Sequence, residues 1–157
     1  MDHDRLFLTR AVELAMRNVE TCHGGPFGAV VVSNGKIIGE GSNLVVPSHD
    51  PTAHAEILAI RAACAATGHF HLPEATLYAS SEPCPMCLSA AYWAKISRIV
   101  FANPRCDAAA IGFCDAELYA ELNLPLAARQ IRMEHHSLPN GNLPLLRWFQ
   151  HPCRQPY

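Results

Sequence analysis

The chain has no long hydrophobic run, no cluster of lysines and little charge for its length. A membrane-spanning helix needs ~18 or more consecutive apolar residues, and no stretch of this sequence approaches that. The first residues, Met1-Asp2-His3-Asp4-Arg5, lack the basic start and apolar core of a secretory leader. Repeats, low-complexity tracts and linker-like segments are also missing, so residues 1–157 are expected to form a single domain. Only 17% of the residues are charged while half are hydrophobic, a balance that excludes a disordered chain and fits a compact soluble one.

What charge there is lies unevenly. Net charge is −2. From residue 128 onward Arg129, Arg132, Arg147 and Arg154 face one acid, Glu134, for a net +3; the rest holds 8 basic and 13 acidic residues, for a net −5. Four scattered arginines do not make a nucleic-acid footprint, so no nucleic-acid partner is expected, and no membrane partner. The seven cysteines are odd in number, and only Cys84 and Cys87 have a short, metal-type spacing. A chain of this size can bury enough surface to do without disulfide staples. A reducing, cytoplasmic setting is therefore expected, with thiols and metal ligands rather than bridges.

Along the chain, Leu8, Val12, Ala15 and Val19 fall at helical spacing and predict one face of an opening helix, stopped by His23-Gly24-Gly25-Pro26. Two short apolar runs, Phe27–Val32 and Ile37–Gly41, flank Asn34-Gly35 and predict a β-hairpin. After a loop from Ser42 to Asp50, Thr52 is the expected N-cap of an alanine-rich helix over Ala53–Ala66, ended by Gly68. Strands are expected over Thr76–Ala79, Ile96–Phe101 and Gln130–Glu134. Helices are expected over Cys84–Trp93, Asp115–Leu122 and Leu143–Phe149. Strands alternating with helices after a hairpin predict an α/β fold, a mixed sheet with helices on both faces.

Two motifs carry chemistry. His54-Ala55-Glu56 opens one predicted helix, and Pro83-Cys84-Pro85-Met86-Cys87 opens the next. Zn²⁺ takes imidazole and thiolate in tetrahedral geometry, and three protein ligands leave a fourth place for water. Cysteines in a first helical turn are favoured as thiolates by the free N–H groups and the helix dipole. Pro85 suits that turn, where its missing donor costs least. Near such a metal a carboxylate, here Glu56, can take a proton from water and return it to the substrate. A closed structural zinc site is the competing reading, with Cys106, Cys114 and His49 available as a fourth ligand.

The order H-x-E then P-C-x-x-C is the signature of zinc base deaminases. The whole chain resembles that cytidine-deaminase-fold family and, within it, the small bacterial guanine deaminases. The resemblance is carried by Gly24–Val30, Asn43, Asp50–Glu56, Glu82–Leu88, Tyr92-Trp93-Ala94, Asp107-Ala108-Ala109, Gly112-Phe113 and Tyr157. It implies a three-layer α/β/α sandwich with Zn²⁺ on His54, Cys84 and Cys87, and Glu56 as the proton shuttle. It also implies that Asn43, Asp115 and the backbone of Ala55 meet the purine edge and that Phe27 stacks on the ring. The implied assembly is a homodimer that exchanges C-terminal segments, so that Tyr157 completes the neighbour's pocket. The implied reaction is guanine plus water to xanthine plus ammonia. Another aminated ring (cytosine, a triazine, another aminopurine) and adenosine in tRNA are the rival substrates, and a structural-zinc protein is the rival outside enzymes.

Overall fold

The computed structural model describes residues 3–157; Met1 and Asp2, the start of the stretch read as lacking a leader, lie outside the described residues. The chain forms two compact units, residues 1–116 and 117–157. In the first unit α1 (His3–Glu20) is followed by the hairpin β1 (Gly28–Ser33) and β2 (Lys36–Ser42), the single turn α2 (Val45–Ser48), α3 (Ala55–Thr67), β3 (Thr76–Ser81), α4 (Pro85–Trp93), β4 (Arg98–Asn103) and α5 (Arg105–Ala110). The hairpin turn uses positive φ at both central residues, 51° at Asn34 and 71° at Gly35, as expected of Asn-Gly.

The four strands make one mixed sheet in the order β2-β1-β3-β4. β1 runs antiparallel to β2 and to β3, whereas β3 and β4 are parallel and joined through α4. Side chains of a strand alternate between faces, and β1 divides accordingly. Val30 and Val32 pack with Phe7 of α1 and Tyr78 of β3. Ala29 and Val31 pack on the opposite side with Ala55, Ala59 and Ala63 of α3 and Ala91 of α4. The result is the expected three-layer α/β/α sandwich, with α1 on one face and α3 and α4 on the other. Val30, Val31 and Leu77 are fully buried, each stabilising the core by about 1.5–3 kcal/mol.

The helix–sheet contacts are unusually close. A Cβ on Gly41 would lie 2.2 Å from the Ala55 carbonyl oxygen and 2.7 Å from the Ala59 nitrogen. Only glycine lets β2 come this near the backbone of α3, and the contact fixes the helix end that carries the first motif.

Three expectations need correction. The face of α1 that meets the sheet is Phe7, Ala11, Ala15 and Asn18; Val12 and Val19, read as part of that face, are exposed. The α3 helix begins two residues later than expected, with His54 as its N-cap, while the Thr52 amide and hydroxyl donate to Asp50 Oδ1 at 2.8 and 2.7 Å. Residues 130–134 form no strand. They belong to the second unit, which holds the rest of α6 (Ala116–Leu122), a 3₁₀ turn at Leu126–Ala128 and α7 (Leu143–Gln150). There Arg129 donates to the carbonyls of Leu124 and Leu122, and the Gln130 amide to Glu121. Among the described residues no helix is long and apolar enough to cross a membrane.

Candidate metal centre and active site

Both motifs lie at helix N-termini, where free N–H groups and the positive dipole end converge. His54 is the N-cap of α3 and Cys84 the N-cap of α4, with Pro85 at the start of that helix and Cys87 in its first turn. α3 and α4 both pack on the β1/β3 face, and this brings the two helix ends together. His54 Nδ1 lies 3.6 Å from Cys84 Sγ and 3.6 Å from Cys87 Sγ. The three ligand atoms fall within 4.8 Å of one another. A tetrahedral zinc with Zn–N of about 2.0 Å and Zn–S of about 2.3 Å sets N···S at about 3.5 Å, so the donor set fits zinc in both chemistry and spacing. Among the described residues no fourth histidine, cysteine or carboxylate joins the group. Cys106, Cys114 and His49, the candidates for closing it, are all exposed. The arrangement is that of a three-ligand, open site.

The protonation chemistry of these groups points the same way. The Cys87 thiol donates to Cys84 and His54 adds a second hydrogen bond, and together these hold Cys84 down to about 4. The same bond, then burial, pushes Cys87 well above the usual thiol range. His54 is raised, chiefly by its hydrogen bond to Cys84. The protein groups alone thus retain a proton between two thiols. A divalent cation replaces that proton and allows both to be thiolates.

Glu56 follows two residues after His54 in the first turn of α3 and is buried. Burial is the main cause that raises its carboxyl above the usual range, and the Cys84 thiolate adds to it. A carboxylate so placed is ready to accept a proton.

The remaining expected residues are distributed as follows. Ala55 is fully buried at the start of α3. Asn43 is buried just past β2; its amide N–H donates to the Phe27 carbonyl at 3.0 Å, and its side-chain oxygen accepts from the Val45 amide at 3.3 Å. Phe27, half-buried at the entry to β1, meets Phe113 edge-on. Asp115 is raised first by burial, then by the Cys84 thiolate, with Arg105 opposing. Tyr157 lies in the second unit and is exposed.

Two contributors were given no role of their own in the sequence. Glu82 accepts from the Arg105 backbone amide at 3.0 Å and so ties the segment before Cys84 to α5. Asn18 sits on the buried face of α1 and donates to the carbonyls of Gly25 and Asn43, each at 2.8 Å. The signal that could have found it is a polar residue three positions after Ala15, continuing the stripe of Phe7, Ala11 and Ala15.

An α/β/α sandwich with an open His–Cys–Cys site and a buried carboxylate beside it is the arrangement of a zinc-dependent hydrolase of aminated bases. The family model for the cytidine and deoxycytidylate deaminase zinc-binding region matches residues 1–103, and the chain belongs to that family. It is 47% identical over 148 residues to guanine deaminase from Bacillus subtilis (strain 168), covering 94% of each chain. The crystal structure of the Bacillus subtilis guanine deaminase superposes with a TM-score of 0.96 at 44% identity, over 100% of this chain and 99% of that one. A tRNA-specific adenosine deaminase from Buchnera aphidicola is 44% identical over 100 residues, which is 64% of this chain and 61% of that protein.

Proposed function

We propose that residues 1–157 act as one deaminase domain that hydrolyses the exocyclic amino group of a free purine base, guanine, to give xanthine and ammonia. The observation that carries this reading is where the similarity extends. The match to the zinc-binding region ends at residue 103, and that motif is shared by deaminases of different bases. Beyond it lie Phe113, Asp115 and Tyr157, and the similarity to the Bacillus subtilis guanine deaminase continues across 94% of the chain.

His54, Cys84 and Cys87 would hold zinc, which would supply a Lewis acid able to bring the pKa of water down toward ~7. The protein groups do the rest. Asn43, Asp115 and the Ala55 backbone hold the purine edge so that C2 faces the zinc ligands, and Phe27 lies against the ring. The Glu56 carboxylate accepts a proton from water as the oxygen adds to C2, and passes it to N3. It then carries the second proton to the exocyclic nitrogen as the C2–N bond breaks and ammonia leaves.

The protein works in the cytoplasm, in purine metabolism, as a homodimer that exchanges C-terminal segments. Large apolar side chains left exposed in each unit support this assembly: Val12, Met16 and Val19 in the first, Ile131, Leu145 and Phe149 in the second.

The test is ammonia release from a panel of free bases, nucleosides and tRNA with the zinc-loaded protein. Release from guanine, lost in Glu56→Gln with zinc content unchanged, is the expected result. Release only from another ring moves the substrate, and a salt-sensitive complex with tRNA that is deaminated overturns the free-base reading. No release from any member at full zinc occupancy returns the site to a structural role.

A further inference from the structure

Asn18 is a buried polar side chain with no part in the chemistry above, only 4% exposed. Its amide nitrogen faces two main-chain carbonyls, Gly25 O and Asn43 O, both at 2.8 Å. Two acceptors can be met only by the NH₂ end, so the orientation of this amide is set by chemistry, and both of its protons are spent. The rest of the surroundings press on the same point. A Cβ on Gly24 would fall 2.0 Å from Asn43 O and 2.8 Å from Asn18 Nδ2, and one on Gly25 would fall 3.2 Å from Asn43 Oδ1. The Asn43 amide donates to Phe27 O, and the next amide, Leu44, donates to Ala53 O beside His54.

We infer that Asn18 is a positioning residue: its amide clamps the Asn43 carbonyl to the Gly24-Gly25 turn and so sets the direction in which the Asn43 side chain meets the base. The inference rests on the reading that Asn43 contacts the base. The Asn43 carbonyl accepts this bond while the Asn43 side-chain oxygen accepts from the Val45 amide, so both ends of the residue are tied to neighbouring chain. With Asn18 shortened, the buried Asn43 carbonyl and the partly buried Gly25 carbonyl lose a shared donor and the turn can rotate. α1, which carries none of the residues proposed to touch substrate, thereby reaches the site through one side-chain amide.

The test is a double-mutant cycle read as binding, which needs no turnover. In zinc-loaded, full-length protein carrying Glu56→Gln, the Kd of the base that the panel identifies is measured by calorimetry for Asn18→Ser, Asn43→Ala and the pair. Zinc content and Tm are followed alongside. Asn18→Ser cannot span both carbonyls and adds no charge. The expected result is a Kd raised about tenfold by Asn18→Ser with Asn43 present, and by less than about twofold with Asn43→Ala, because the two act as one unit. An equal rise in both backgrounds makes Asn18 a residue of general stability and overturns the inference, as does an unchanged Kd. If Asn43→Ala alone leaves Kd unchanged, the contact between Asn43 and the base is wrong and the inference falls with it, which separates the two failures. Asn18→Asp, which places a carboxylate against two carbonyl oxygens, should exceed the Asn18→Ser effect where it folds; a smaller effect counts against the clamp.

Discussion

The ring of Phe113 stands edge-on to that of Phe27, with centroids 4.9 Å apart and planes at 90°. Phe27 immediately precedes β1, while Phe113 follows α5, so the pair joins distant segments at the place proposed for the base. An edge contact directs the positive rim of one ring at the negative face of another and contributes about 0.5–1.5 kcal/mol beyond area alone. Phe113→Leu keeps an apolar side chain but removes that edge. KM is expected to rise roughly two- to tenfold, in line with that energy, with Tm little changed because Phe113 is half exposed. Steady-state kinetics check this, and an unchanged KM would show that Phe27 does not depend on its partner to hold the base.

The Asp4 carboxylate anchors the start of α1 to the sheet. Arg98 of β4 donates to both of its oxygens at 2.8 and 2.6 Å, and the Tyr78 hydroxyl donates to one at 2.7 Å. These bonds, Arg98 first, lower its pKa from 3.8 to about 2. A carboxyl whose folded pKa lies below its unfolded value contributes stability that is fully present above the unfolded value and is lost as pH falls toward the folded one. Asp4→Asn should therefore lower Tm at neutral pH, and the gap to wild type should close between about pH 4 and pH 2. Melting curves of both proteins over that range test it; a gap independent of pH would mean that the charge of Asp4 contributes nothing.

Gly41 touches the end of α3 that carries His54 and Glu56. The obstacles to a Cβ there are backbone atoms, Ala55 O at 2.2 Å and Ala59 N at 2.7 Å, which cannot swing aside as a flexible side chain could. Gly41→Ala is expected to destabilise by about 1–3 kcal/mol or more, the range of overpacked cores. Because the displaced turn begins next to His54, zinc affinity should fall together with Tm. Chemical denaturation and competition with a chromophoric chelator measure the two. A loss of stability with zinc affinity intact would separate the α3 contact from the metal site.

The metal motifs were legible because each stands at a helix start, and helix starts are written in short-range residue choice: Pro85 after Cys84, the alanine-rich run after His54. The sandwich followed from the Asn34-Gly35 turn and the alternation of strands and helices. The buried face of α1 was not legible. Apolar spacing favours the larger Leu8, Val12 and Val19, but a helix pressed onto a sheet at a glycine needs small residues. Ala11 and Ala15 therefore face inward, and a Cβ on Gly28 would lie 2.3 Å from Ala11 O. Periodicity counts hydrophobicity and cannot see how closely two backbones approach. The expected strand at 130–134 failed for a related reason: β-propensity describes a residue that suits a pleated surface, and β4 takes no partner from that stretch. Asn18 was hidden because a polar residue inside an apolar stripe reveals its use only when its two carbonyl partners are known.

The proposed exchange of C-terminal segments can be tested by complementation. Removing residues 154–157 takes away Tyr157, proposed to complete the neighbour's pocket, and leaves Glu56 and the zinc ligands in place. This variant should bind zinc, melt near the wild-type Tm and release no ammonia. Full-length Glu56→Gln should also be inactive, for lack of the proton shuttle. If the segment is exchanged, a mixed dimer contains one pocket with an intact Glu56 and a tail lent by its Glu56→Gln partner. Co-expression of the two inactive chains should then restore activity, and at most a quarter of the wild-type rate is expected when chains pair at random, since about half of the dimers are mixed and each has one working site of two. If each chain instead completes its own pocket, every pocket in the mixture lacks either Glu56 or its tail, and the co-expressed protein stays inactive. Ammonia release from the co-purified mixture, with dimer composition set by two affinity tags, distinguishes the two arrangements.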